Sequence, residues 1–150
     1  MFRFQLQSIL DIKKAELDAA ETKERYLRNE IAGVEKKMHG FRDAYINERE
    51  ALNLRLAESN LRERKILEAS LERNKEQIME CLRALAVLRE LLAEASRLAL
   101  ALRKKTAGLE RLKEKRRVEY EARQERRLQN EIDARSAQQV WLRKREREVA

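Results

Sequence analysis

Proline is absent from this chain of 150 residues, and there are only three glycines, one cysteine, one histidine and seven aromatic side chains. Each scarcity removes a class of answer. Without proline nothing forces a break in a helix. Gly33, Gly40 and Gly108 stand alone, so no glycine-rich loop exists to cradle a phosphate. Within a helix each costs about 1 kcal/mol relative to alanine, and marks a flexible or closely packed position. The single Cys81 cannot form an internal disulfide and fits a reducing cytoplasm. One histidine, His39, one cysteine and scattered carboxylates do not supply the three or four convergent ligands of a metal site. No catalytic residue, cofactor or metal is expected, and no enzyme.

Long apolar runs are missing too. The most apolar stretch, Cys81 to Leu102, is interrupted by Arg83, Arg89, Glu90, Glu94 and Arg97, whereas a spanning helix needs about 20 nearly uncharged residues. The first ten residues hold Arg3 and two glutamines, and lack the apolar run and cleavage site of a secretory signal. A cytoplasmic protein without a membrane span is the expectation.

What the chain has is charge and periodicity. Charged residues make up 41% of it, a fraction that belongs with long helices rather than with a compact core enclosing an active site. Apolar positions step alternately by three and four residues in two stripes. One runs from Leu10 through Leu17, Ala20, Leu27, Ile31, Val34, Met38, Phe41 and Tyr45 to Leu52. The other runs from Leu67 through Leu71, Ile78, Cys81, Leu85, Leu88, Leu92, Ala95, Ala99 and Leu102 to Leu109. Such spacing keeps one seam facing a partner helix, and each buried Leu, Ile or Phe contributes on the order of 1.5 to 3 kcal/mol. Lys13, Glu24, Glu48, Asn74 and Thr106 occupy seam positions as well. The charged ones and Asn74 weaken their layers while being suited to fixing register.

Taken from opposite ends, the stripes pair Leu52 with Leu67, Phe41 with Ile78, Leu27 with Leu92 and Leu10 with Leu109, and in each layer the two residue numbers add to 119. The chain can therefore satisfy itself by folding back. The expected fold is all-α, a long antiparallel coiled-coil hairpin with a turn near residues 58–61, helix 1 over about 5–57 and a longer helix 2 over about 61–145, forming a single domain. Asn60 can cap the second helix and Glu63 can complete a capping box. A slip of one heptad would also match apolar positions, so register rests on the turn. A straight, self-associating helix is the alternative.

Residues 1–102 carry 19 basic and 18 acidic side chains, residues 103–150 carry 16 and 9. The positive excess lies in the last third and favours an acidic partner surface. Nucleic acid is disfavoured, because Glu110, Glu114, Glu119, Glu121 and Glu125 interrupt the run and only Tyr120 and Trp141 could stack on bases. At the open end of the hairpin, the apolar cluster Phe2, Phe4 and Leu6 should lie opposite Leu109, Leu112, Lys113, Arg116, Arg117 and Tyr120. It either closes the hairpin or forms a docking tip.

The opening Phe2-Arg3-Phe4-Gln5-Leu6-Gln7-Ser8-Ile9-Leu10, followed by Lys13 and Glu16, resembles the start of the FliJ proteins of the bacterial flagellar type III export apparatus. The stretch Leu109-Glu110-Arg111-Leu112-Lys113-Glu114-Lys115-Arg116 leading to Tyr120, with Glu131, Asp133 and Ala137 beyond, is similar to that family's late basic segment. Members often carry tyrosines early in the second helix, where this chain has Arg64, Lys65, Ile66 and Leu67, and an acidic residue where it has Ala134. The resemblance implies a non-enzymatic stalk in the pore of the hexameric flagellar export ATPase. It further implies links to the cytoplasmic part of the export gate and to export chaperones, and a peripheral place at the inner face of the cytoplasmic membrane. The ATPase-docking candidates are then Phe2, Phe4, Leu6, Leu112, Lys113, Arg116, Arg117 and Tyr120, and the gate candidates Phe41 and Tyr45, which also serve the seam. A stalk of a virulence injectisome, a generic basic coiled-coil scaffold and a nucleic-acid binder are the alternatives.

Overall fold

The structure, a computed structural model of the chain, describes residues 1–55 and 61–149. It is an all-α helical hairpin of two packed helices, α1 (Gln7–Arg55) and α2 (Leu61–Val149). The turn expected at 58–61 and the cap at Asn60 lie outside the described residues, apart from Leu61, where α2 begins. With 49 and 89 residues, the second helix is the longer, as expected, and it continues four residues past the expected end. Among the described residues no peptide bond is cis and no residue has positive φ.

Contacts divide the chain into two compact units, one of residues 15–103, the other of residues 1–14 with 104–150. In the first, the heptad seam accounts for the burial. Ala20, Leu27, Met38, Leu85, Ala95, Ala99 and Leu102 are buried, and Ile31, Val34, Phe41, Tyr45, Ile78, Cys81, Leu88 and Leu92 are half-buried. Ala20, Ala99 and Leu102 form one buried cluster with Leu17 packed against it, a pair of layers in which the facing numbers again add to 119. The helices are antiparallel: Glu48 meets Ser70 and Asn74, Glu35 meets Arg89, and Glu21 meets Arg103.

Polar seam residues find partners on the opposite helix. Ser70 Oγ and Asn74 Nδ2 each donate to the Glu48 carboxylate, both at 2.7 Å, so two positions expected as separate weak points are joined across the seam. Glu24, only 9% exposed, accepts from Ser96 Oγ across the seam at 3.0 Å and from Arg28 Nη2 on its own helix at 2.6 Å, with Arg103 Nη2 at 3.9 Å. The Ser96 hydrogen bond, with the Arg28 hydrogen bond and the Arg28 and Arg103 charges acting in the same sense, holds the Glu24 carboxyl below its usual range against the opposing effect of burial. Breaking such a partnership by removing one member leaves a polar group unsatisfied, which is why these layers select a register.

The three glycines do not serve close packing inside the chain. A Cβ built on Gly33, Gly40 or Gly108 meets nothing within 4 Å. The expectation of a tightly packed spot is therefore not met between α1 and α2.

Two outcomes follow. Leu85→Ala, at a side chain 1% exposed, lowers unfolding free energy by about 2 to 4 kcal/mol, whereas Leu128→Ala, on an exposed face, changes it by less than about 0.5 kcal/mol; urea titration followed by circular dichroism measures both. Because the Glu24 pKa is depressed, its stabilisation is present above the unfolded carboxylate value of about 4.3 and is lost as pH falls through the lower folded value. Glu24→Gln is thus less stable than wild type at neutral pH, and the gap in melting temperature closes as the buffer is taken below about pH 4.

Candidate functional site

The unit formed by residues 1–14 and 104–150 contains the docking candidates. Its first residues enter α1 through a turn in which the Gln7 amide donates to the Phe4 carbonyl at 3.1 Å. That turn directs Phe4 inward, 7% exposed, and one helical turn later Leu10 is 1% exposed. Leu6 is half-buried, as are Leu109, Leu112 and Lys113 on α2. Lys14 Nζ pairs with Glu110 Oε1 across the two segments at 2.7 Å. Phe4 and Leu10 therefore act chiefly in closing the hairpin.

Phe2 is different. Its ring lies against Tyr120 with centroids 5.7 Å apart and planes inclined at 49°, and both residues stay partly open to solvent. The Met1 amino group donates to the Tyr120 hydroxyl at 3.1 Å. Around this pair is a cleft of about 480 Å³ lined by Phe2, Arg3, Gln5, Arg116, Glu119, Tyr120 and Arg123. Arg3, Arg116 and Arg123 make no hydrogen bond or ion pair with the described residues, so three guanidinium groups face solvent beside two aromatic rings. Such an arrangement suits a carboxylate-bearing surface, since guanidinium offers forked donors and the rings offer apolar area.

Arg116 and Arg117, neighbours in sequence, separate in role. The Arg117 Nε and Nη2 atoms donate to the two oxygens of Glu114 at 3.1 and 2.8 Å, and its Nη1 lies 3.8 Å from Glu121. The Glu114 hydrogen bond raises the Arg117 pKa, and Arg117 in turn holds the Glu114 carboxyl below its usual range. Arg117 is thus engaged within its own helix, whereas Arg116 faces the cleft. Arg3 and Arg123 were not among the sequence candidates. The signal was present, because Arg123 follows Arg116 by seven residues and so shares its helix face.

The gate candidates Phe41 and Tyr45 lie in the other unit, half-buried on the seam. His39 is exposed and Cys81 is a half-buried free thiol. Among the described residues no group of three or more His, Cys, Asp or Glu side chains converges to hold a metal ion, and no helix is long and apolar enough to cross a membrane. From Glu125 to Val149 every residue of α2 is exposed, with the Arg145 guanidinium 4.9 Å from the centre of the Trp141 ring.

Fold and site together define a coiled-coil-like helical hairpin with a basic, aromatic cleft formed by its first residues and the later part of α2. The chain matches no protein-family model, no curated protein and no solved structure.

The Phe2–Tyr120 contact is expected to hold down the opening segment. Tyr120→Ala, which removes an aromatic pair worth about 0.5 to 1.5 kcal/mol, speeds amide exchange at residues 2–6 while leaving exchange around Leu85 unchanged; Tyr120→Phe, which keeps the ring, has a smaller effect.

Proposed function

We propose that this chain is a non-enzymatic stalk component of a bacterial flagellar type III export apparatus, which binds the hexameric export ATPase through the unit that holds its first residues. The observation that carries this reading is a juxtaposition. The opening segment and the late basic segment of α2, the two stretches that resemble the FliJ family, pack on one another, with Phe2 against Tyr120 and Lys14 paired to Glu110. Their unpaired arginines would meet acidic groups of the ATPase pore, speeding and orienting encounter. The role is mechanical: two packed helices hold a docking end in a defined conformation, and no bond is made or broken by the chain. Contacts with the export gate through the region of Phe41 and Tyr45, contacts with export chaperones, and a peripheral position at the inner face of the cytoplasmic membrane belong to the same reading.

A pull-down against the flagellar export ATPase, an injectisome ATPase and duplex DNA at low and high salt tests it. Flagellar ATPase is retained, less so at high salt. Arg116→Glu and Arg123→Glu each reduce retention on the order of tenfold, and Arg117→Glu less, because Arg117 is already engaged by Glu114. Retention on DNA alone, or no ATPase binding at low salt, contradicts the proposal, and preference for the injectisome ATPase moves the chain to the virulence system.

A further inference from the structure

The two flanks of the seam in the unit of residues 15–103 differ in kind. One carries the ion pairs that tie α1 to α2, Glu21 with Arg103 and Glu35 with Arg89. On the other, Lys23, Glu30 and Lys37 make no ion pair with α2 among the described residues. That flank holds instead an apolar groove of about 390 Å³ lined by Glu16, Ala19, Ala20, Lys23, Leu98 and Leu102. On its α2 side, Ala84, Val87, Leu91, Leu98 and Ala101 follow a second three-four stripe, interrupted once by Glu94, and all are exposed, Val87 by 58% and Leu98 by 55%. On its α1 side stand Ala19, Tyr26, Gly33 and Gly40 at seven-residue intervals, with Tyr26 61% exposed. A Cβ built on either glycine meets nothing within 4 Å.

This face is complementary to itself. Beside the small residues of α1 run Glu16, Lys23, Glu30 and Lys37, alternating in sign every seventh residue. Laid antiparallel on a copy of itself, α1 places Lys23 opposite Glu30 and Glu16 opposite Lys37, pairs whose numbers add to 53. In the same register, Ala19 faces Gly33 and Tyr26 meets its own copy, pairs adding to 52. Treated likewise, α2 places Ala84 opposite Ala101, Val87 opposite Leu98 and, nearest the centre, Leu91 opposite Glu94, all adding to 185. The α1 centre thus falls at residues 26–27 and the α2 centre between residues 92 and 93, and Leu27 and Leu92 form one layer of the hairpin. A single two-fold axis passes through both centres. That agreement is not required by the hairpin itself, since the charges of one flank and the apolar stripe of the other helix are independent features of the sequence.

We propose that this face is a homodimer interface, in which two copies pack α1 on α1 and α2 on α2 into an antiparallel four-helix bundle about an axis at the Leu27–Leu92 layer. The occupant is a second copy of this chain because the alternating charges complement themselves, and because Gly33 and Ala19 allow two α1 backbones to approach. This inference does not rest on the stalk reading, which concerns the other unit of the chain.

Sedimentation equilibrium of the full chain tests it. The wild type is expected to give twice the monomer mass of 17.8 kDa at micromolar concentration. Leu98→Arg weakens the dimer by tenfold or more, as expected when a solvated charge replaces an apolar side chain inside an interface. Gly33→Leu does the same while its far-ultraviolet circular dichroism is preserved, because a Cβ at this position meets nothing within 4 Å in the monomer. Lys23→Glu weakens association, and Lys23→Glu combined with Glu30→Lys restores it. A wild type that stays monomeric overturns the proposal, as does a dimer indifferent to Leu98→Arg and Gly33→Leu, or a charge exchange that fails to restore. Loss of ATPase binding with an intact dimer would count against the stalk reading alone.

Discussion

The structure depends on one constraint, a seam in which facing residues of α1 and α2 have numbers that add to 119. A seam of this kind is a weak source of stability per residue, because each helix buries only one stripe, and most side chains beside it stay exposed. It is a strong source of order. Moving one helix by a heptad still sets many apolar positions opposite one another but takes Glu48 away from Ser70 and Asn74, and Glu24 away from Ser96. The apolar layers supply the driving force and the polar layers choose among the alignments that the apolar layers would tolerate.

Charge sorts the remaining surface. On one flank the acidic side chains of α1 reach arginines of α2. On the other, Lys23, Glu30 and Lys37 make no ion pair with α2 among the described residues and apolar groups are exposed. In the unit of residues 1–14 and 104–150, Arg117 is neutralised within α2 while Arg3, Arg116 and Arg123 are left facing outward beside Phe2 and Tyr120. Exposed pairs of this sort contribute little to stability, so their arrangement bears on what the surface can recognise.

Heptad spacing made the fold legible, because a repeat that turns one face toward a partner leaves the same mark whichever residues fill it. Leu10, Met38, Leu85 and Ala99 were all placed in the interface by spacing alone, and all are buried. The polar layers were legible only as positions. That Asn74 and Glu48 answer one another, and that Ser96 beside the seam answers Glu24, depends on how far each side chain reaches, which periodicity does not encode. The site was read in part for the same reason. Arg116 and Arg117 looked like one charge cluster, yet consecutive residues on a helix point about 100° apart, so one faces the cleft and the other faces Glu114. Arg3 entered the cleft through the turn at Phe4, whose geometry no repeat announces.

Everything proposed for this chain presupposes the antiparallel register, and distances between spin labels measure it directly. With Cys81→Ser to remove the native thiol and unlabelled chain in excess, labels are placed at Lys36→Cys together with Glu76→Cys, Arg83→Cys or Glu90→Cys, four exposed positions away from the seam. The 36–83 pair is expected to be the shortest, at about 25 Å from an interaxial separation of roughly 10 Å plus two helix radii and two side chains. A shortest distance at 36–76 or 36–90 would mean a helix displaced by one heptad, about 10 Å, and a 36–83 distance near 70 Å would mean a single straight helix; either contradicts the hairpin on which the docking cleft and the dimer face both depend.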